Sequence, residues 1–260
     1  MTQYRPAITR TTSAIETMLQ HHSVRAFTNE PVPEDALQAI LVSALSAATS
    51  SNQNSWSVVT VRDPERKKRL MESTGSNPFI AQAPVFFVWV ADLSRAHRLA
   101  EAQGVDPVVL HYQEALLIAT VDAALAAQNA VVAAESLGLG TCYVGGIRTQ
   151  IDTVSELLNL PEYSYPVLGL SVGCPSPDDS AGVKPRLPLS AVAFDEQYDA
   201  TAADAGIPVL ERETSEYFAS QGVAHHSWSE KSLIRWSSMR ALRGRENNRG
   251  VIAARGLLDE

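Results

Sequence analysis

The sequence predicts an α/β or α+β domain built around one long buried helix. Residues 111–146 form the longest apolar segment of the 260-residue chain, and their pattern predicts a helix followed by a short strand at 141–144. Further apolar runs at residues 56–61, 84–91 and 165–173 have the length and composition of strands. Because helical patterns separate these runs, we expect a sheet that is covered by helices.

The shorter helices are predicted by periodicity and by their end signals. Ser13 and Glu16 have the spacing of a capping box, so a helix is expected to start there. Pro31 and Pro33 cannot continue that helix and should lead the chain into the next one. The predicted short helices before the C-terminal region cover residues 13–20, 34–48, 64–73 and 151–158, and three polar helices should follow from about residue 202.

The central helix is expected from Glu114 to Ser136, a stretch made mostly of Ala, Leu, Val and Ile. A segment that is apolar on nearly every face is either a core helix or a membrane span. Polar residues divide it into runs too short to span a bilayer, so the sequence favours a core helix and no membrane. Gly138 and Gly140 should end this helix, because glycine accepts the left-handed conformation of a helix terminus.

Composition and charge exclude several classes of protein. The formal net charge of −8 and the pI of about 5.3 argue against a general nucleic-acid binder. The two cysteines, Cys142 and Cys174, have neither disulfide-framework nor metal-site spacing, so we expect the reducing cytoplasm and no metal. The N-terminal residues lack the apolar core of a signal peptide. Cys142 is expected to be a small core residue, and His225 and His226 are expected to be solvated.

Four polar stretches would together suit a flat, phosphorylated ligand. Arginine, lysine and histidine can hold a phosphate dianion through charge-assisted hydrogen bonds. Serine and asparagine can donate and accept, and glycines leave the backbone uncovered so that it can turn sharply beside a ligand. Each stretch alone is more typical of a solvated loop, but their combination favours a site. The stretches are His21, His22, Ser23 and Arg25; Ser50, Ser51, Asn52 and Asn54; Tyr143, Val144, Gly145 and Gly146; and Lys184 with Arg186.

These stretches also carry a family resemblance. The motif His21-x-Ser23-x-Arg25-x-Phe27-Thr28, followed by Glu30-Pro31, resembles the opening motif of the FMN-dependent nitroreductases. The closest group is the NADPH-type oxygen-insensitive nitroreductases and flavin reductases. Residues 47–52 are similar to the serine-rich flavin loop of that family, and residues 127–140 to its central helix. Residues 143–146 and 184–188 resemble the second and third flavin motifs, so five matches occur in the family's order.

The resemblance implies an α+β fold of the nitroreductase type. In that fold a mixed central sheet is wrapped by helices around a long buried core helix. The family forms an intertwined homodimer with two FMN molecules at the interface. Residues 1–200 would then form the FMN-binding domain, and residues 201–260 a helical extension of the same domain that acts as a dimer arm or a lid.

The resemblance also implies a role for each candidate residue. His21, Lys184 and Arg186 would hold the FMN phosphate, with His22 beside them, and Ser23 would meet the phosphate or the ribityl chain. Arg25 would lie near the pyrimidine edge of the ring, and residues 143–146 would pass along one ring face near N5. Further hydrogen bonds to the ring or the ribityl chain would come from Ser50, Ser51, Asn52, Asn54 and Asn77.

The implied activity is reduction of nitroaromatics, quinones or free flavins by NAD(P)H. Hydride would pass to flavin N5 and on to the oxidant in a ping-pong scheme, so the protein need not supply a nucleophile or a general base. Gln221 stands where the closest group has an arginine for the NADPH phosphate, and Arg249 resembles a second such arginine. NADPH and NADH therefore both stay open as donors.

Three alternatives stay open beside this activity. The first is a specialised flavoenzyme of the same fold, such as a dehalogenase, an azoline oxidase or a flavin-destroying synthase. The second is an FMN carrier or sensor without turnover. The third is a structural protein whose motifs have decayed.

Overall fold

The structure is a computed structural model that describes residues 8–75 and 77–258. Residues 1–7, on which the signal-peptide expectation partly rests, lie outside the described residues. The α-helices are α1 (Ser13–Gln20), α2 (Glu34–Leu45), α3 (Pro64–Ser73), α4 (Phe79–Gln82), α5 (Ser94–Ala102), α6 (Gln113–Ser136), α7 (Ile151–Leu157), α8 (Ala200–Ser220), α9 (Trp228–Ser237) and α10 (Asn248–Ala254). The strands are β1 (Trp56–Val61), β2 (Val85–Asp92), β3 (Gly140–Val144) and β4 (Ser164–Gly173).

The described residues fall into two compact units. Residues 23–179 and 243–258 form the larger unit, which contains the sheet, helices α2 to α7 and α10. Residues 8–22 and 180–242 form the smaller unit, with α1, α8 and α9. In the smaller unit, α8 packs on α9, and the Tyr217 hydroxyl and the Gly182 backbone exchange hydrogen bonds. The predicted succession of strands and then polar C-terminal helices is confirmed, and with it the α+β class.

The sheet of the larger unit has the strand order β1-β2-β4-β3. All three strand pairs are antiparallel, although a mixed sheet was predicted. A parallel pairing occurs at the isolated bridge between Ser23 and Thr141. Every residue of β2 is buried, as expected for a central strand covered on both faces. Such an apolar run does not reveal strand direction, which is why the sequence pattern could not exclude parallel pairs.

The long helix α6 is confirmed, and it packs against α2 and the sheet. Its buried stripe consists mainly of alanines, whose small side chains allow close approach. The helix is not buried on every face, however: Leu117, Val121 and Leu125 are 53%, 46% and 44% exposed. Within the described residues, α6 is also the one helix long and apolar enough to cross a membrane, a test that core helices of soluble proteins pass as well.

Three predicted helix boundaries differ from the structure, at the start of α1, the end of α2 and the end of α6. Helix α2 ends at Leu45, although the helix was predicted to run to residue 48. Thr12 caps α1 through a hydrogen bond from the Ile15 N–H, whereas Ser13 is already helical. Gly138 has the left-handed φ of +79° that was predicted at the end of α6, but Gly140 is a strand residue. A Cβ atom on Gly140 would lie 2.6 Å from the Val24 side chain, so its role is close packing. Helix α5 was not predicted.

Candidate functional site

The segment with Ser23 and Arg25 lies along strand β3. Ser23 bridges Thr141, and the Val24 N–H donates to the Thr141 carbonyl at 2.9 Å. Because Gly140 has no side chain, Val24 can pack directly on the strand. Residues 143–146 continue from the same strand. Within the larger unit, the structure therefore places Ser23 and Arg25 beside the strand that leads into residues 143–146.

Arg25 is anchored through its backbone, which leaves its side chain to the surface. The N–H groups of Arg25 and Ala26 donate to one Asp179 carboxylate oxygen at 2.7 and 3.2 Å. The guanidinium donates to the Ser23 carbonyl at 3.2 Å, and within the described residues no carboxylate pairs with it. An exposed guanidinium can bind an anionic ligand through charge-assisted hydrogen bonds.

The serine–asparagine loop has an unusual backbone. Ser51, Asn52 and Asn54 have φ values of 47°, 56° and 53°, in the left-handed region. Non-glycine residues there cost on the order of 1 kcal/mol each. Local hydrogen bonds offset part of this: the Asn54 amide donates to the Asn52 carbonyl at 2.8 Å, and the Asn54 N–H donates to Thr49 Oγ1 at 3.3 Å. The loop's hydroxyl and amide side chains are left at the surface.

A buried carboxylate on α6 holds both ends of this loop. Asp122, 1% exposed, accepts the Ser50 N–H on Oδ1 at 3.0 Å and the Ser55 N–H on Oδ2 at 3.2 Å. Both oxygens are used, one for each end. Asp122 is one of the polar residues that interrupt the apolar segment, and no role was predicted for it.

The exit of the loop is held by Arg95 and Asp92. The Arg95 guanidinium donates to the carbonyls of Asn54 and Trp56 at 2.6 and 2.7 Å, and it pairs with Asp92 at 2.9 Å. Burial by itself would raise the pKa of Asp92, but hydrogen bonds from Ser57 and Ser94 and the charge of Arg95 outweigh it and lower that pKa. Asp92 is therefore a stable counter-charge that orients Arg95.

The segment from Tyr143 to Gly146 ends β3 and turns into a 3₁₀ helix. The Tyr143 hydroxyl donates to Gln128 Oε1 on α6 at 3.3 Å. Partial burial, with a smaller effect of Glu135, raises the pKa of Tyr143. The phenol therefore stays protonated at neutral pH and does not act as a base.

The glycine pair differs from the prediction in its backbone, whereas its predicted contact with the ligand stays a prediction. Neither Gly145 nor Gly146 has a positive φ, so the turn does not demand glycine. A Cβ atom on Gly146 would instead lie 2.5 Å from the Thr74 carbonyl oxygen. The Asn77 amide donates to that same oxygen at 3.4 Å. Gly146 and Asn77, predicted separately, thus meet at Thr74.

In the smaller unit, Lys184 and Arg186 line an open cavity of about 460 Å³. Arg186 donates to the backbone carbonyls of Lys184 and Pro185, each at 3.0 Å. The ammonium of Lys184 lies 5.9 Å from the centroid of the Phe218 ring. The wall is otherwise largely apolar, with Leu187, Leu210 and Trp228.

His226 also lines this cavity, contrary to the prediction that it is solvated. It is only 9% exposed and stacks on Phe218 with ring centroids 3.6 Å apart. Its Nδ1 lies 2.6 Å from the Lys231 ammonium. Burial and the charge of Lys231 lower the pKa of His226, so the imidazole is the acceptor in this pair. The prediction failed because the partners follow from packing of α8 and α9, which the local sequence does not reveal.

Comparisons with known proteins agree with the geometry. Residues 18–174 match the model of the nitroreductase family, and residues 184–260 match the family's C-terminal domain. The chain belongs to the nitroreductase family. It is 38% identical to "FMN reductase (NADPH)" of Bacillus subtilis over 226 residues, which cover 85% of this chain and 90% of that protein. It is 36% identical to "Oxygen-insensitive NADPH nitroreductase" of Salmonella typhimurium over 219 residues, covering 83% and 88% of the two chains.

The fold of this nitroreductase also matches solved structures. The structure of NfrA1 nitroreductase from B. subtilis superposes with a TM-score of 0.88 and 34% identity, covering 95% of this chain and all of that one (100%). The similarity therefore extends over both units of the chain, and the predicted family and fold are confirmed.

The remaining predicted residues of this nitroreductase are placed as follows. His22 Nδ1 lies 3.1 Å from the Gln20 carbonyl, and both His21 and His22 are partly buried. Arg249 is exposed on α10. Within the described residues, no group of three or more His, Cys, Asp or Glu side chains is arranged to hold a metal ion.

Sequence reasoning missed the residues that support the site. Asp122, Arg95 and Asp92 lie far from the loop in sequence, and Phe218 was not predicted. A partial signal existed for Asp122, because a charged residue inside a buried apolar helix requires a hydrogen-bonding partner.

Proposed function

We propose that this nitroreductase is an NAD(P)H-dependent flavin oxidoreductase that uses FMN to reduce nitroaromatics, quinones or free flavins. The names of its relatives support this assignment. The observation that carries it is the preorganised loop: Asp122 holds both ends of residues 50–55, and Ser50, Ser51, Asn52 and Asn54 are exposed. A rigid row of such groups suits a ligand whose edge alternates donors and acceptors.

The donor chemistry of the chain fits FMN. In the larger unit, Ser50, Asn52, Asn54 and Asn77 would bond the ring or the ribityl chain, and Ser23 the ribityl chain or the phosphate. In the smaller unit, Lys184 and Arg186 would hold the phosphate together with His21. These assignments rest on the motif resemblance.

The chemistry that FMN supplies when bound is acceptance of hydride from NAD(P)H and its return to an oxidant, which we propose as a ping-pong exchange. The residues of the chain contribute position and charge. The positive charge of the Arg25 guanidinium would stabilise negative charge that develops near it. Asp179 fixes the Arg25 backbone, so that this charge is preorganised. The protonated Tyr143 can donate a hydrogen bond but cannot remove a proton.

The exposed stripe of α6 supports a homodimer. Leu117, Val121 and Leu125 recur every four residues and form one face of the helix. Large apolar side chains in such a row mark an interaction surface. We propose that a second copy of the chain covers it. A membrane is disfavoured because Asp122 lies in the middle of the same helix, and a charge at the bilayer centre costs roughly 3 kcal/mol or more.

The proposal extends to location and to the C-terminal region. Two cysteines far apart in sequence are consistent with the cytoplasm. Residues 201–260 would serve as a helical extension of the FMN-binding domain. Gln221 leaves NADH as well as NADPH acceptable, since no arginine is present at that position.

An anaerobic titration tests the function. The purified protein, incubated with FMN, is titrated with NADPH or NADH while the visible absorbance of oxidised flavin is followed. We expect bleaching by at least one donor and recovery of the colour on addition of a quinone or a nitroaromatic. A yellow protein that neither donor bleaches would indicate a carrier or sensor. Bleaching without recovery on any quinone or nitroaromatic would indicate a specialised flavoenzyme, and a protein that binds no FMN would refute the proposal.

A further inference from the structure

Both oxygens of the Asp122 carboxylate accept hydrogen bonds from the backbone of the loop at residues 50–55. Its two oxygens accept the Ser50 and Ser55 N–H groups at 3.0 and 3.2 Å. These two N–H groups mark the beginning and the end of the loop. A single rigid side chain on α6 therefore fixes the distance between them.

Helix packing gives no reason for an acidic residue at this position. Asp122 is 1% exposed and lies in a stripe whose other members are mostly alanine, such as Ala119, Ala123 and Ala126. No lysine or arginine pairs with it within the described residues. Burial of a carboxylate is unfavourable unless hydrogen bonds compensate, and here the compensation comes only from the loop.

The loop in turn depends on an external anchor. Three of its residues have left-handed backbones although none is glycine. Such a conformation persists only when the surroundings determine it. Ser55 is buried, so its N–H would lack a partner without Asp122. In this conformation Ser51, Asn52 and Asn54 are exposed.

We infer that Asp122 is a positioning residue for cofactor binding, acting through the loop and without contact to the flavin. The expected effect on FMN affinity rests on the proposed function. The anchoring of the loop by Asp122 does not depend on it. Loss of the carboxylate should leave the sheet and α6 intact and release the loop. The bound flavin should then be held more weakly and its spectrum should change.

The test compares Asp122→Asn and Asp122→Ala with a control on the same helix, Asn129→Ala. Asn129 ties α6 to α2 through the Ser43 carbonyl at 3.2 Å and has no described contact with the loop. Asparagine at position 122 retains one acceptor and presents an amide donor to the other N–H. We expect the dissociation constant of FMN to rise roughly ten-fold in Asp122→Asn and up to roughly a hundred-fold in Asp122→Ala, the range for a lost charged hydrogen bond. Asn129→Ala should bind FMN as the wild type does.

Two further measurements separate positioning from general stability. Amide hydrogen exchange of the flavin-free protein should become faster at residues 50–55 in Asp122→Asn, with β2 and β4 as protected as in the wild type. The visible absorption bands of bound FMN should shift in Asp122→Asn and not in Asn129→Ala. Unchanged exchange at residues 50–55, or FMN affinities in Asp122→Asn equal to wild type, would overturn the inference. A wild-type protein that binds no FMN would count against the proposed function, while the exchange experiment would still decide the anchoring.

Discussion

The substitution Gly146→Ala tests whether the glycine pair serves backbone packing or the ligand. Gly146 has no positive φ, so alanine meets no conformational penalty there. Its Cβ atom would nevertheless lie 2.5 Å from the Thr74 carbonyl oxygen and 3.3 Å from Thr74 Cβ. Both contacts involve atoms close to the backbone, which cannot turn away as the end of a long side chain can. The two segments must therefore move apart.

The expected loss follows from overpacking. Insertion of one methyl group into a tightly packed position destabilises a protein by about 1–3 kcal/mol. For a chain of this size, each kcal/mol lowers the melting temperature by about 2–4 °C, so a fall of about 2–12 °C is expected. The Asn77 amide also bonds the Thr74 carbonyl, at 3.4 Å, so the displacement should reach Asn77 and weaken FMN binding as well.

Gly145→Ala is the matched control. It changes the neighbouring residue of the same turn, again without a positive φ, but its Cβ would first meet the tip of the Arg148 side chain at 3.4 Å. That tip can yield, and replacing glycine restricts the unfolded chain, so stability should be unchanged or higher by up to about 1 kcal/mol. Melting curves and FMN titrations of both variants provide the comparison. A Gly146→Ala variant as stable as the wild type, or a Gly145→Ala variant that loses FMN while its stability holds, would refute the packing argument.

Three further outcomes are expected. Arg25→Ala should weaken FMN binding roughly ten-fold or more and slow reduction by NAD(P)H in stopped-flow measurements, and wild-type values for both would rule out its proposed role. Asp92 has a lowered pKa in the folded state, so its stabilising effect is present above the unfolded pKa of about 4 and is lost as pH falls through the folded value. Asp92→Asn should therefore have a lower free energy of unfolding than the wild type at pH 7 in urea titrations, and this difference should become smaller below about pH 4. A difference in the free energy of unfolding that does not depend on pH would contradict this. The double substitution Val121→Glu, Leu125→Glu should convert a dimer to a monomer in sedimentation experiments, whereas Leu99→Glu, at another exposed apolar position on α5, should leave the dimer intact.

Much of the fold was predictable because its elements carry local signals. The predicted bounds of α3 and of the apolar runs β1, β2 and β4 agree with the structure within a residue or two. Helix α5 was missed, and of its residues only Ser94 is buried. Its start could have been found from Asp92, whose carboxylate accepts the Ser94 N–H at 3.1 Å. The antiparallel pairing of β2 with both neighbours depends on chain path, which local patterns do not encode.

The residue types of the candidate site could be predicted from the sequence, but the residues that hold them in position could not. Residue types that bind phosphates and polar ring edges are visible in a sequence, and so are family motifs. The contacts that hold these residues join positions far apart: Asp122 is 72 residues from Ser50, and Asp179 is 154 residues from Arg25. No spacing rule relates such pairs, so only the folded chain reveals them.

Helix α6 is apolar on most faces for two separate reasons, and the size of the side chains distinguishes them. The buried stripe is built of alanines, because a helix that packs closely on a sheet and on α2 has no room for larger groups. The larger residues Leu117, Val121 and Leu125 are the exposed ones, the reverse of the order expected if α6 were buried by its own chain alone. Asp122 then lies between Val121 and the alanine Ala123, where it faces inward to the loop. A sequence that places small apolar residues on one helical face and large ones on another therefore predicts two different neighbours: its own sheet for the small face, and a second molecule for the large one.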